Sequence, residues 1–294
     1  MSIIGKVRDR IRQIGRLERR LEKLQESLGR IEARQLRMLL HSGLAANEFR
    51  VFSQWGEDGI IQHLISQVRI ERRVFVEFGI EDYTESNTRF LLVNDNWSGL
   101  VIDGGQEHID YVRKDPIYWR YNLKAECSFI TRENINTLIG GNGITGEIGL
   151  LSVDIDGNDY WVWKAIDVID PTIVVVEYNA RFGPTAAVTV PYDAQFVRGR
   201  THPSMIYYGA SLGALCKLGA EKGYALVGCN SAGNNAFFVR EDRLPPSMKP
   251  LSAEAAYVRN QFREARDAAG ELLYLSHEAE LKILHDLPLV AVGP

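Results

Sequence analysis

Only three cysteines, Cys127, Cys216 and Cys229, occur among 294 residues, and they are far apart and odd in number. A disulfide framework and a paired-cysteine zinc site are thereby excluded. Long apolar runs are missing as well, since none approaches the ~20 residues that cross a bilayer, and Met1 to Gln13 lacks the apolar core of a signal peptide. These absences predict a chain without a transmembrane segment, working in the reducing cytoplasm. Nor is there an overall basic charge: 34 Lys/Arg stand against 38 Asp/Glu, for a formal charge of −4, which gives no reason to expect nucleic acid as a partner.

What the chain does contain begins with a heptad. With Val7, Ile14, Leu21 and Leu28 at position a, position d holds Ile3, Leu17, Leu24, Ile31 and Met38, and only Arg10 and Gln35 break the seam. Residues 1–40 therefore read as a coiled-coil helix serving self-association. The alternatives are an amphipathic helix resting on its own domain and an interfacial helix on anionic lipid. The basic charge is concentrated here, 11 Lys/Arg against 5 Asp/Glu.

A second domain is expected over 48–294, where strand-like and helix-like runs alternate. Strands at 74–79, 99–103, 123–127, 148–154 and 172–178 are separated by helical patterns, which implies an α/β fold, a mostly parallel sheet with helices on both faces. The last two strands, 223–228 and 234–239, are joined too closely for a parallel crossover, so the final one must run antiparallel. Residues 252–268 and 276–284 read as covering helices.

The stretch 74–105 organises the rest. Its two strands deliver Glu77 and Asp103 to the carboxyl edge of the sheet, where open α/β sheets bind ligands. The loop between them lacks the G-x-G-x-x-G of a pyrophosphate-binding turn. It offers Gly79 amid Glu77, Glu81, Asp82 and Glu85, acids that repel a dinucleotide's phosphates but suit a cationic ligand such as S-adenosyl-L-methionine. Asp103, 26 residues after Glu77, is placed to accept hydrogen bonds from ribose hydroxyls. Solvated loop acids, with Asp103 capping a helix, are the plain alternative.

Several segments resemble the FkbM type of S-adenosylmethionine-dependent methyltransferase: Phe52 to Ile61, Phe75 to Gly79, Ser86-Asn87-Thr88, Trp97 to Asp103, Glu133 to Asn136, Ser152 to Tyr160 and Tyr208 to Leu212. The resemblance covers about 50–240, leaves out the N-terminal helix, and fits a Rossmann-like seven-stranded class I methyltransferase sheet with its last strand antiparallel. It implies that Glu77 and Gly79 border the methionine moiety, that Asp103 holds the ribose and that Glu126 and Cys127 lie near the adenine. Gln54 and Asn87 are expected to reach the amino-acid end. Where many methyltransferases have a second glycine, this chain has Glu81-Asp82.

Asp154 and Asp156 follow the fourth strand, and Glu177 and Asn179 the fifth. The run from Asp154 imitates an EF-hand but has Asp159 where glycine is required and Ala165 where glutamate is required. An acid after one strand, with an acid and an Asn after the next, resembles instead the magnesium site of catechol-type and sugar O-methyltransferases. Asp154, Glu177 and Asn179 are thus candidate ligands for Mg²⁺ or Mn²⁺, or else acids holding cofactor or substrate. Asp154, Asp156 and His202 are candidate bases. The expectation is an O-methyltransferase acting on a hydroxyl of a saccharide or secondary metabolite, a glycan or other small-molecule acceptor. Carboxyl or N-methyl transfer on the same fold, or a coiled-coil assembly protein with an inactive cofactor-binding domain, are the alternatives.

Overall fold

A computed structural model describes residues 3–38 and 43–293, with side chains of the first helix described at residue 10, at 12–17 and from 20 on. Residues 1, 2, 39 and 40 of the expected coiled-coil segment lie outside the described residues. In chain order come α1 (Ile3–Leu36), α2 (Glu57–Gln67), β1 (Val74–Phe78), α3 (Arg89–Asp95), β2 (Ser98–Asp103), α4 (Gln106–Lys114), α5 (Pro116–Arg120), β3 (Leu123–Cys127) and α6 (Ile135–Gly141). Then follow β4 (Gly146–Val153), α7 (Asp159–Ala165), β5 (Ile169–Glu177), β6 (Val188–Thr189), α8 (Arg198–Thr201) and α9 (Leu212–Glu221). The chain closes with β7 (Tyr224–Cys229), β8 (Asn235–Arg240), α10 (Ala253–Ala256), α11 (His277–His285) and β9 (Val290–Ala291).

Seven of the strands form one sheet in the order β3-β2-β1-β4-β5-β8-β7. Strands β1 to β5 pair in parallel, while β8 runs antiparallel to both β5 and β7. This is the Rossmann-like, mostly parallel sheet expected from the alternating pattern. Its strands are apolar almost throughout because helices cover both faces. Val76, Phe78, Leu151, Val153, Val174 and Val176 enter one core, and Phe75, Val101, Leu150, Ile173 and Val175 the other. The strand order reverses between β1 and β4, which is where open α/β sheets of this kind carry a ligand crevice at their carboxyl edge.

Helix α1 touches the body along its second half, but not by its heptad seam. Gly29 and Ala33 are buried beside Phe49, Val51, Phe52 and Phe90. The Gln25 side chain donates to the Val51 carbonyl, and Glu22 pairs with the buried Arg89 guanidinium at 2.9 Å. Glycine is needed at 29, since a Cβ would stand 2.3 Å from Val51 Cγ2. Ile14, Leu17, Leu21, Leu24, Leu28 and Ile31 are all 50–62% exposed. The helix thus rests on its own domain by its small and polar face, with the apolar seam turned outward.

Residues 252–268 are helical only at Ala253–Ala256, not throughout as the sequence suggested. Tertiary bonds hold the remainder extended: Tyr178 Oη donates to Val258 O at 2.6 Å, Gln261 N to Ala232 O at 2.8 Å and Arg266 N to Ser204 O at 3.0 Å. Such bonds outweigh the modest helix propensity of an alanine-rich run. Arg181, fully buried, clamps this segment through ion pairs to Glu264 at 2.9 Å and Glu280 at 3.2 Å. The three cysteines are unpaired, and among the described residues no helix is long and apolar enough to cross a membrane.

Candidate active site

A cavity of about 680 Å³ opens at the carboxyl edge of the sheet, lined from β1, β2, β4, β5 and the 262–264 segment. Its floor depends on Gly79, which has a φ of +67° and packs so closely on the loop after β4 that a Cβ would lie 1.7 Å from Asp154 O. Only glycine combines that conformation with that approach.

Glu77, at the end of β1, accepts hydrogen bonds from Asn87 N at 2.7 Å, Thr88 N at 3.1 Å and the Thr88 hydroxyl. It thereby shapes the acidic loop and sets Asn87, whose amide reaches Ser152 Oγ at 3.1 Å, on the cavity wall. Burial pushes the Glu77 carboxyl up to about 7, against the opposing pull of those bonds. Asp103 accepts from Glu81 N at 2.9 Å and Gly105 N at 2.7 Å, with His108 Nδ1 at 3.0 Å. Its carboxylate is thus fixed on the cavity wall, and Oδ2, which takes only Glu81 N, keeps a second lone pair for a ligand hydroxyl.

Gln54 lines the cavity because the loop bearing it is held from beneath. Asp58 Oδ2 collects the N–H groups of Val51, Phe52 and Ser53 at 2.7–2.8 Å, and burial raises its pKa to about 6. Glu57, fully buried, takes Trp55 N at 2.8 Å and the amides of Asn230 and Asn235 at 2.7 and 3.0 Å. At the end of β3 the cavity wall is formed by Ser128, Phe129 and Ile130, the residues that directly follow Glu126 and Cys127. The half-exposed Phe129 was the signal that could have found this edge, an apolar ring just past a strand.

At the other end of the cavity Asp154 and Glu177 line the wall, and the fully buried Asp159 completes a cluster whose carboxylate oxygens lie within 4.8 Å of one another. Asp159 is oriented by Ile155 N at 2.8 Å and Gly157 N at 2.9 Å, and burial lifts it to about 6. Burial above all, then the neighbouring carboxylates, raise Asp154 and Glu177 well above the usual carboxylate range. Glu177 Oε2 is buried without any hydrogen-bond partner. Asp156 reaches the same wall but is paired with Arg198 at 2.6 Å, and Arg198 also binds Glu264 at 2.9 Å while lying 3.8 Å over the Tyr208 ring. Phe196 lines this end, and Trp55 stacks on Phe262 at 5.2 Å.

Two expected residues stand apart from this cluster. Asn179 turns away from the cluster: its Nδ2 donates to Ile206 O at 2.9 Å and Tyr208 O at 3.1 Å, and its Oδ1 accepts from Arg181 N at 3.2 Å. Both polar atoms of the amide are bound to backbone, and it is Asp159 that joins Asp154 and Glu177 in the carboxylate cluster. His202 follows α8 away from the cavity wall, its Nδ1 within 2.6 Å of Ser204 Oγ and accepting from Ser204 N at 3.2 Å. A general base contributes roughly 10²–10⁴-fold, so His202→Ala is expected to keep turnover near the wild-type rate. A loss of that size in kcat would restore the imidazole to the reaction.

No protein-family model and no curated protein matches the chain. Solved structures similar to it include an S-adenosylmethionine-dependent methyltransferase from Clostridium acetobutylicum, 11% identical over 62% of this chain and 89% of that one, TM-score 0.40. The N-terminal domain of EvdMO1 with SAH bound is 10% identical over 71% and 94%, TM-score 0.40. The CurJ carbon methyltransferase is 10% identical over 62% and 52%, TM-score 0.39. Likenesses of this size do not decide function, which has to rest on the site.

Proposed function

We propose that the chain is a class I S-adenosyl-L-methionine-dependent methyltransferase that methylates a hydroxyl group of a saccharide or secondary metabolite. The observation carrying this reading is the division of one cavity into two acidic ends, Asp103 with the Glu77-shaped loop at one and Asp154 and Glu177, backed by the buried Asp159, at the other. The first end suits the donor: Asp103 binds ribose hydroxyls, Gln54 and Asn87 face the amino-acid end, and the surrounding acids favour a sulfonium and an ammonium. S-adenosyl-L-methionine supplies the methyl group. The protein's part is to hold the acceptor oxygen in line with it, which accounts for much of the rate in such transfers.

The second end suits the acceptor's proton. As the oxygen gains its methyl group the hydroxyl O–H bond breaks, and the proton passes to the Asp154–Glu177 pair. Burial and their mutual repulsion raise the proton affinity of both carboxylates, so the member of the pair that is ionised is the stronger base. Arg198 holds Asp156 and Glu264 beside them and limits the net charge of this wall. The same three carboxylates, with the unpartnered Glu177 Oε2, also have the hard oxygen donors that Mg²⁺ or Mn²⁺ prefers. Asp154, Asp159 and Glu177 would hold such an ion, which would lower the pKa of a bound hydroxyl. The exposed seam of α1 supports self-association of the chain.

Calorimetry with S-adenosylhomocysteine tests the donor end. The wild-type protein is expected to bind it, and Asp103→Asn to weaken binding by about tenfold or more, as for loss of a hydrogen bond to a charged group. Absence of binding together with tight binding of NADH would overturn the reading.

A further inference from the structure

The seam of α1 has a symmetry that says how two copies meet. From Arg10 to Gln35 the a and d positions read Arg10, Ile14, Leu17, Leu21, Leu24, Leu28, Ile31, Gln35. Read backwards, the series has the same character at each step: polar, isoleucine, four leucines, isoleucine, polar. The six apolar members project from the described helix with at least half of their surface exposed, and the body docks on another face.

From this we infer that α1 pairs with α1 of a second copy of the chain in an antiparallel, two-stranded coiled coil. The inference rests on the reading of α1 as a self-associating helix. In an antiparallel pair an a position faces a d position of the other helix. One register then places Arg10 opposite Gln35, Ile14 opposite Ile31, Leu17 opposite Leu28 and Leu21 opposite Leu24, twice over by the two-fold axis. Both interruptions of the seam meet each other, a guanidinium donor against an amide oxygen, and every other layer is aliphatic. A parallel pair would set Arg10 against Arg10 in an apolar layer and leave two guanidinium charges unmatched.

The flanking positions agree. In the antiparallel register Gln13 lies beside Arg34 of the second copy and Arg20 beside Ser27, so these flanks bring no like charges together. The number of helices is limited by the body itself. Gln25 stands on a flank that a third or fourth helix would have to cover, and its side chain is already bonded to Val51 O. The pair from residue 10 to residue 35 is about 38 Å long at 1.5 Å per residue. It carries the two catalytic bodies towards opposite ends, each docked along residues 22–36 of its own helix.

Disulfide trapping on the full chain separates the arrangements. Chains carrying Ile14→Cys are mixed with chains carrying Ile31→Cys, equilibrated in a glutathione redox buffer, digested and mapped by mass spectrometry, with light scattering for the mass in solution. The expected products are a dimer and a peptide joining residue 14 to residue 31, and Leu17→Cys with Leu28→Cys should repeat the pattern. Because the seam is exposed in the single chain, these variants leave its core intact. Peptides joining 14 to 14 and 31 to 31 would overturn the antiparallel pair while leaving self-association standing. A monomeric mass without crosslinks would overturn both, and either result leaves the methyltransferase reading untouched.

Discussion

Gly79→Ala is expected to cost the protein on the order of 4 kcal/mol and nearly all of its activity. Two effects add. An alanine held at a φ of +67° is strained by about 1–2 kcal/mol. Its Cβ would also lie 1.7 Å from the Asp154 carbonyl oxygen and 2.9 Å from the carbonyl carbon, an overlap with backbone that no rotamer relieves and that costs a further 1–3 kcal/mol or so. For a domain of this size the sum lowers Tm by roughly 10 °C. Because the loops after β1 and β4 must separate to admit the new methyl group, Asp154 and the acidic loop shift relative to each other. Binding of S-adenosylhomocysteine and turnover should then fall even at temperatures where the variant is folded. Gly143→Ala is the control, with a φ of +76° but nothing within 4 Å of its Cβ, so only the strain remains. If Gly79→Ala melted like Gly143→Ala and kept its turnover, the close crossing of the two loops would be wrong.

That crossing illustrates what the chain makes legible. Glu77 and Asp103 could be placed at a sheet edge because each ends an apolar run whose pattern fixes where a strand stops. The antiparallel β8 followed from a connection too short for a crossover. Side-chain direction was not legible in the same way. Asn179 follows a strand just as Asp154 does, but the carbonyls of Ile206 and Tyr208 come from a loop nearly thirty residues away and claim its amide. Asp159 looks in sequence like the start of a helix, and its place in the carboxylate cluster depends on the N–H groups of Ile155 and Gly157 turning it inward. Phe262 and Glu264 were hidden for a further reason. Their segment has helical composition, and bonds to Ala232, Ser204 and Arg181 stretch it across the cavity instead. The heptad of α1 likewise gave no sign that a second face, carrying Gln25, Gly29 and Ala33, does the docking.

Glu177→Gln should make the protein inactive and, at alkaline pH, more stable. Its carboxyl is raised well above the ordinary value of 4.5, chiefly by burial and then by Asp154 and its neighbours, so the folded state favours the protonated form more than the unfolded state does. Stability contributed by that protonated form is fully present below pH 4.5 and is lost as the pH climbs through the raised pKa. A neutral amide carries no such penalty. The melting temperature of Glu177→Gln should therefore match the wild type in acid and exceed it increasingly as the pH rises above the ordinary carboxylate range. Turnover should meanwhile fall by roughly 10²–10⁴-fold, the contribution of a general base. The same pair of proteins decides whether a cation occupies the cluster. If Mn²⁺ binds Asp154, Asp159 and Glu177, adding it stabilises the wild type by mass action and reverses the order of the two melting curves, because the amide variant lacks one anionic ligand. If Mn²⁺ moves neither curve and EDTA leaves wild-type turnover unchanged, the carboxylates take the proton by themselves. A Glu177→Gln variant that turns over normally would remove the cluster from the reaction altogether.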